Sequence, residues 1–235
     1  MTKTKAHQVY KVDGQRVPGV TTIIGNLGWN TNVLMAWARR EALKGNDPDK
    51  IRDQAAERGT LAHALIEEHL AGVLGLEGRE VDRSEYAPAD LEVAENAFLA
   101  YLDWEGRNKV EPIGLEYQLS HPELMYGGTI DLLAWLNDKL AVIDFKTTNG
   151  VYAEHRIQVA AYTKLVLRHL GTTGDLAWLA QEVIDLGVDL NPEVHLLQLS
   201  KTDGTFSHHR YDDLTAEWDV FQHCLSLHAL HKLLR

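Results

Sequence analysis

The sequence predicts an α/β fold, a central mixed sheet packed between helices and entered through a helical N-terminal segment. Three observations carry that expectation. Two short apolar runs rich in β-branched and aromatic residues, Gly127 to Trp135 and Ala141 to Thr148, flank the polar turn Asn137-Asp138-Lys139 and read as a hairpin. Ala153 to Leu170 then has helical periodicity, with Ile157, Ala160, Ala161, Leu165 and Val166 apolar and Gly171 as a stop signal. Helical patterns also dominate the chain ahead of the hairpin, so helices lie on both sides of the strands in sequence and close an α/β/α sandwich.

Taken in order, Met1 to His7 carries no apolar signal segment, and residues 31 to 45 and 51 to 72 read as helices. Residues 75 to 90, with Gly75, Gly78 and Pro88, read as a loop before a helix from Asp90 to about Asn108. Strands are expected over roughly 112 to 119, 126 to 136 and 140 to 148. After the Ala153 helix, 175 to 186 fits helix or strand equally. Glu193 to Ser200 and Thr205 to Tyr211 flank Lys201-Thr202-Asp203-Gly204, a hairpin signal. Residues 213 to 234 form the last helix, where Leu225, Leu227, Leu230 and Leu233 predict a packed face. No repeat or low-complexity tract interrupts the pattern. At 235 residues and 45% hydrophobic, the chain can bury a full core as one domain, 1–235, with a helical wall over about 20–110 and a core over about 111–235. A two-domain division stays open. No stretch approaches the ~20 apolar residues of a membrane span, which predicts a soluble, cytoplasmic protein.

The chemistry concentrates in the hairpin. Side chains alternate along a strand, so Asp144 and Lys146 share one face and Phe145 takes the other. Two carboxylates, Asp131 and Asp144, with an ammonium beside them can bind a divalent cation and hydrolyse a phosphodiester. The metal would polarise the phosphoryl oxygen and acidify water, and the lysine would position that water or neutralise developing charge. The competing reading is a pair of strand-end acids with a solvated lysine. Elsewhere, Gln158 and Tyr162 lie one helical turn apart, as do His63 and Glu67 in Arg58-Gly59-Thr60-Leu61-Ala62-His63. Each pair also has an ordinary structural reading.

The order of these pieces resembles the RecB-type branch of the PD-(D/E)XK nuclease superfamily. Gly-Thr-x-x-His-x-x-x-Glu is followed by Glu116, Gly-Gly-x-x-Asp, Asp-Phe-Lys-Thr and Gln-x-x-x-Tyr. Val17-Pro18-Gly19-Val20-Thr21-Thr22-Ile23-Ile24 and Leu34-Met35-Ala36-Trp37-Ala38 resemble the opening of the phage exonucleases and the mitochondrial genome maintenance exonuclease of that branch, so the likeness runs from about Val17 to Tyr162. Gly19 departs from the serine usual there; Thr21 and Thr22 remain in place, and Thr22 is a candidate substrate contact. The resemblance implies a restriction-endonuclease-like α/β/α core. It implies metal ligation by His63, Asp131, Asp144 and the backbone carbonyl of Phe145, with Lys146 as catalytic lysine. Glu116 would hold a second metal or orient water, against its reading as an exposed strand residue alternating with Gln118. Gln158 and Tyr162 would contact substrate or the lysine, and Glu67 would support His63.

Carboxylates, a carbonyl and an imidazole favour Mg²⁺ or Mn²⁺. Cys224, the single cysteine, excludes a four-cysteine iron–sulfur cluster and an intrachain disulfide. His223, Cys224, His228 and His231 do not share one helix face, which speaks against zinc. The net charge of −11 opposes a nucleic-acid partner, but local distribution outweighs the sum. Candidate phosphate contacts are Arg39, Arg40, Lys44, Arg52, Arg58 and Arg156; Lys164 and Arg168 fit a solvated face better. Trp29, Trp37 and Tyr10 could stack on bases or sit in the core. The expected partner is DNA, entered at single-stranded ends by an exonuclease. A structure-specific or restriction-type endonuclease is the alternative, and a catalytically silent DNA-end-binding module is the alternative outside enzymes, weakened by the presence of Asp131, Asp144 and Lys146.

Overall fold

The computed structural model describes residues 8–171, 175–187 and 189–234. The reading of Met1 to His7 lies outside these residues. Five strands form a mixed sheet in the order β3 (Val110–His121), β4 (Tyr126–Leu136), β5 (Lys139–Lys146), β6 (Glu193–Leu199) and β7 (Phe206–Tyr211). The β3-β4, β4-β5 and β6-β7 pairs are antiparallel and β5-β6 is parallel. The hairpin expected between β4 and β5 turns on Asn137 and Asp138, both at positive φ (50° and 65°), the conformation of a tight turn matched to strand twist. A parallel neighbour requires a crossover. It is supplied by α5 (Ala153–His169) and α6 (Ala177–Asp185), which resolves the ambiguous 175 to 186 stretch as helix.

Helices cover both faces, as the sequence predicts. On one face α3 (Pro48–Leu74) and α4 (Pro88–Glu105) bury Leu61, Leu65, Tyr101 and Trp104 against Leu132, Ile143 and Phe145. Each begins with Pro at its first turn, and Asp47 caps α3 by accepting from the amides of Asp49 and Lys50. Both therefore start earlier than the periodicity suggests. On the other face α5 and α7 (Thr215–Leu233) pack Ile157, Leu165, Val166 and Phe221 against Ile130, Leu133 and Val142. The apolar stripe expected on α7 needs correction: Phe221 and Cys224 are buried, whereas Leu227, Leu230 and Leu233 are exposed, because the helix turns a different face to the sheet. Three short pieces were not expected, β1 (Tyr10–Val12), β2 (Gln15–Val17) and α1 (Val20–Ile24). α2 (Thr31–Leu43) buries no residue and leaves Val33, Leu34 and Met35 in solvent.

At the turn end of the sheet, polar groups form an ordered chain from buried Trp104 through the exposed His208 to buried His195. Trp104 Nε1 donates to His208 Nδ1 (3.1 Å) and His208 Nε2 pairs with His195 Nδ1 (2.9 Å). An indole can only donate, so the His208 proton sits on Nε2 and is given to His195, whose own proton then faces Glu193 Oε2 at 3.3 Å. Burial, then the neighbouring imidazole, pushes His195 down to about 4.

Candidate active site

The other end of the sheet is split. The β4-β5 pairing stops at Leu132↔Ile143, one step short of Asp131 and Asp144. Into the resulting fork comes the segment before α1: Gly19 bridges to Gly127, whose amide bonds to the Pro18 carbonyl (3.0 Å). Alternation also breaks on both strands here. Ile130 packs toward α5 and Leu132 toward α3, as do Tyr117 and Leu115, so residues two apart lie on opposite faces. The break on β3 is at Glu116, at φ 47°, a conformation uncommon for a residue with a side chain. It turns Glu116 out of the exposed face that the Glu-x-Gln pattern suggests.

The consequence is a cluster. His63 from α3, Glu116 from β3 and Asp131 from β4 each bring a ligand atom to within 4.8 Å of the others. His63 Nδ1 lies 3.7 Å from Asp131 Oδ2, and its ring meets Phe145 edge-on (centroids 5.9 Å). Asp131 Oδ2 also accepts from the Phe145 amide (2.8 Å), replacing the ladder bond lost where the strands part.

One residue along β5, Asp144 is 1% exposed. Lys146 Nζ lies 2.6 Å from its Oδ2 as an ion pair, yet neither carboxylate oxygen receives an aligned hydrogen bond from a described residue. Burial pushes the carboxyl up to about 6, with Lys146 pulling it down and Asp131 adding to the rise. The expected alternation holds: Asp144 and Lys146 meet, while Phe145 packs among α3 and α4. Gln158 Oε1 accepts from Lys146 Nζ (3.0 Å) and its Nε2 donates to Tyr162 Oη (2.7 Å). The lysine is thus fixed between Asp144 and α5.

A cleft of about 840 Å³ opens on this centre, walled by His63, Glu116 and Asp131, by Thr21 and Thr22 of α1, and by Tyr10, Arg16, Thr60, Thr129, Tyr162 and His228. The glycines decide its shape. A Cβ at Gly127 or Gly19 would fall within 3 Å of the Tyr10 ring, and one at Gly128 within 3 Å of Tyr162. The motif therefore carries no side chain where two aromatic walls close in, and Gly19 meets the Tyr10 ring in the same way. Arg16 and His228 were missed by the sequence reading: one lies on a three-residue strand and the other joins the cleft only through the approach of α7.

Other expected residues lie elsewhere. Arg58 pairs through its Nε with Asp90 of α4 at 2.6 Å and lines a separate pocket with Lys201. Arg39 and Arg40 are exposed on α2 and do not line the cleft. Lys44, Arg52, Arg156 and Arg168 pair with Glu41, Asp49 and Asp53, Glu217 and Glu123, and Lys164 lies over Trp218. Glu67 pairs with Arg79 while lining the narrow space beneath His63. Trp37 is half-buried. Cys224 is buried and free of any disulfide.

The sequence profile of the PD-(D/E)XK nuclease superfamily matches residues 34–198, from α2 through β6. The chain belongs to this superfamily. A search among proteins of curated function finds no match. Membership makes the protein a nuclease, a divalent-metal phosphodiesterase with DNA as substrate. Its side chains fit such a cation: two carboxylates and an imidazole converge, and the adjacent buried Asp144 has carboxylate oxygens short of aligned donors. Among the described residues no helix is long and apolar enough to cross a membrane. The nuclease match omits β1, β2, α1 and α7, which supply Tyr10, Arg16, Thr21, Thr22 and His228 to the cleft.

Proposed function

We propose that this nuclease is a DNA exonuclease that works from single-stranded ends, in the RecB-type branch of its superfamily. The observation that carries the reading is the fork, where the His63-Glu116-Asp131 cluster lines one cleft and the Asp144-Lys146 pair lies close enough behind it for Asp131 and His63 to act on the Asp144 carboxyl. The chain acts as one domain, residues 20–110 walling the site and 111–235 forming its core. His63, Glu116, Asp131 and Asp144 hold Mg²⁺ or Mn²⁺. The Phe145 carbonyl joins them, because N–H and C=O of one strand residue point to the same edge, and the Phe145 amide already points into the gap. When bound, the cation supplies Lewis acidity at the scissile phosphate.

The remaining work falls to side chains. Lys146 orients the attacking water and neutralises charge developing on the phosphate. Gln158 and Tyr162 keep its ammonium aimed. Tyr162 remains a neutral donor, since burial raises its pKa well above the ordinary value. Thr22 and Arg16 contact the phosphates of the strand in the cleft, and Arg39 and Arg40 grip the backbone outside it.

The test is to incubate linear and covalently closed circular single strands of one sequence with Mg²⁺. Degradation of the linear form alone is expected. Efficient cutting of the circle overturns the exonuclease reading in favour of an endonuclease and leaves the metal site standing. Binding of ends without hydrolysis of either form identifies a silent module instead.

A further inference from the structure

On the other flank of α1 a second groove, about 340 Å³, adjoins the cleft. Thr21 lines both spaces, and Gln158, which holds Lys146, lines the groove from α5. Trp29 and Leu34 form its other wall, and Trp29 is 53% exposed. That exposure belongs to a fixed corner: Asn30 Nδ2 donates to Glu154 Oε1 (2.5 Å), fastening the start of α2 to α5.

The two spaces differ in chemistry. The cleft holds Arg16 and the metal-ligating cluster. Neither lysine nor arginine lines the groove, and His155 is neutral there, pushed down to about 4 by burial and by Lys146. A groove without lysine or arginine, whose one carboxylate, Glu154, is engaged by the Asn30 amide, and which has a flat aromatic wall rimmed by Gln158 and His155, fits a flat heterocycle with hydrogen-bonding edges and rejects a phosphate. We propose that this groove is a nucleobase subsite, in which the base of a nucleotide flanking the scissile phosphate stacks on Trp29. The proposal rests on the nuclease reading and deepens it. A base inside a duplex has both faces covered by its neighbours, so the subsite accepts unpaired bases and tolerates every base identity.

The experiment compares wild type, Trp29→Ala and Trp29→Phe on single-stranded oligonucleotides, either intact or with one abasic position stepped through the first four nucleotides. Hydrolysis with Mg²⁺ gives KM and kcat; anisotropy in an Asp144→Asn background gives affinity without turnover. Trp29→Ala is expected to raise KM and Kd roughly 5- to 150-fold with kcat held, and Trp29→Phe to recover most of the loss. One abasic position should cost wild type a similar factor and cost Trp29→Ala nothing. Equal losses on intact and abasic strands, or no loss in Trp29→Ala, overturn the subsite. Absence of hydrolysis by wild type overturns the nuclease reading instead, and the anisotropy arm still decides the subsite.

Discussion

At the turn end of the sheet, His195 is 2% exposed and takes its place in a chain that assigns the protons from Trp104 through His208 to His195, with Glu193 3.3 Å beyond. At the fork end, Asp144 is just as buried, and its oxygens have one lysine beside them and no aligned donor among the described residues. Buried polar groups normally find their partners within the fold. At the first end a carboxylate, Glu193, stands 3.3 Å from His195 Nε2 although the two make no aligned hydrogen bond; at the second a buried carboxylate has only an ammonium beside it, the kind of cost a fold tolerates for function. Stability and activity should therefore separate between the two ends of one sheet.

The largest expected effect is at the fork. Asp144→Ala and Lys146→Ala should each lower turnover by about three orders of magnitude or more. Calorimetry should find weakened Mg²⁺ binding in the first and normal binding in the second. Asp144→Asn should lose activity with little fall in melting temperature, since burial disfavours the charged carboxyl more than Lys146 favours it. Turnover above roughly a thousandth of wild type in either alanine variant would remove these residues from the site.

The far end should answer in the opposite sense. His195 has a folded pKa near 4 against an ordinary 6.5, so the unfolded chain takes up its proton first as pH falls. Its contribution is present above pH 6.5 and is lost on descending toward 4, by roughly 3 kcal/mol in total. Urea midpoints at pH 7.5 and pH 5 should show this loss in wild type and a smaller one in His195→Gln, while activity per folded molecule at pH 7.5 stays equal. An identical acid slope in both proteins would break the comparison.

The smallest effect sharpens the fork itself. His63→Ala and Glu116→Gln should raise the Mg²⁺ concentration for half-maximal activity by roughly 10- to 100-fold. Ca²⁺, larger and looser in coordination, should support turnover poorly in all three proteins. An unchanged Mg²⁺ requirement in His63→Ala would make that histidine structural.

Much of this was legible in the residues. Strand alternation put Asp144 with Lys146, helix spacing put Gln158 with Tyr162, and Asn137-Asp138 marked the turn. Glu116 was only half legible, because period-two reasoning assumes an unbroken alternation and the backbone at that residue takes a positive φ that breaks it. The walls were less legible still. Strands of three residues carry no periodic signal, so the β1-β2 hairpin with Tyr10 and Arg16 was missed. Ion pairing across helices is equally invisible to spacing: Arg58, a candidate substrate contact, is paired with Asp90 on α4. On α7 the leucines suggested a packed face, and of them Leu225 packs, beside buried Phe221 and Cys224, while Leu227, Leu230 and Leu233 stay exposed.

The fork has one further consequence, for the order in which the molecule assembles. Hairpin β4-β5 closes through a two-residue turn, and its ladder needs only neighbours in sequence. The contact that completes the cleft joins Gly19 to Gly127, more than a hundred residues apart, and the entropy of closing a loop grows with its length. Amide exchange should accordingly be faster at Gly127 than at Val142. The protein can thus hold a formed sheet while its catalytic centre is open, with the fork serving as the last seam to close and the first to part.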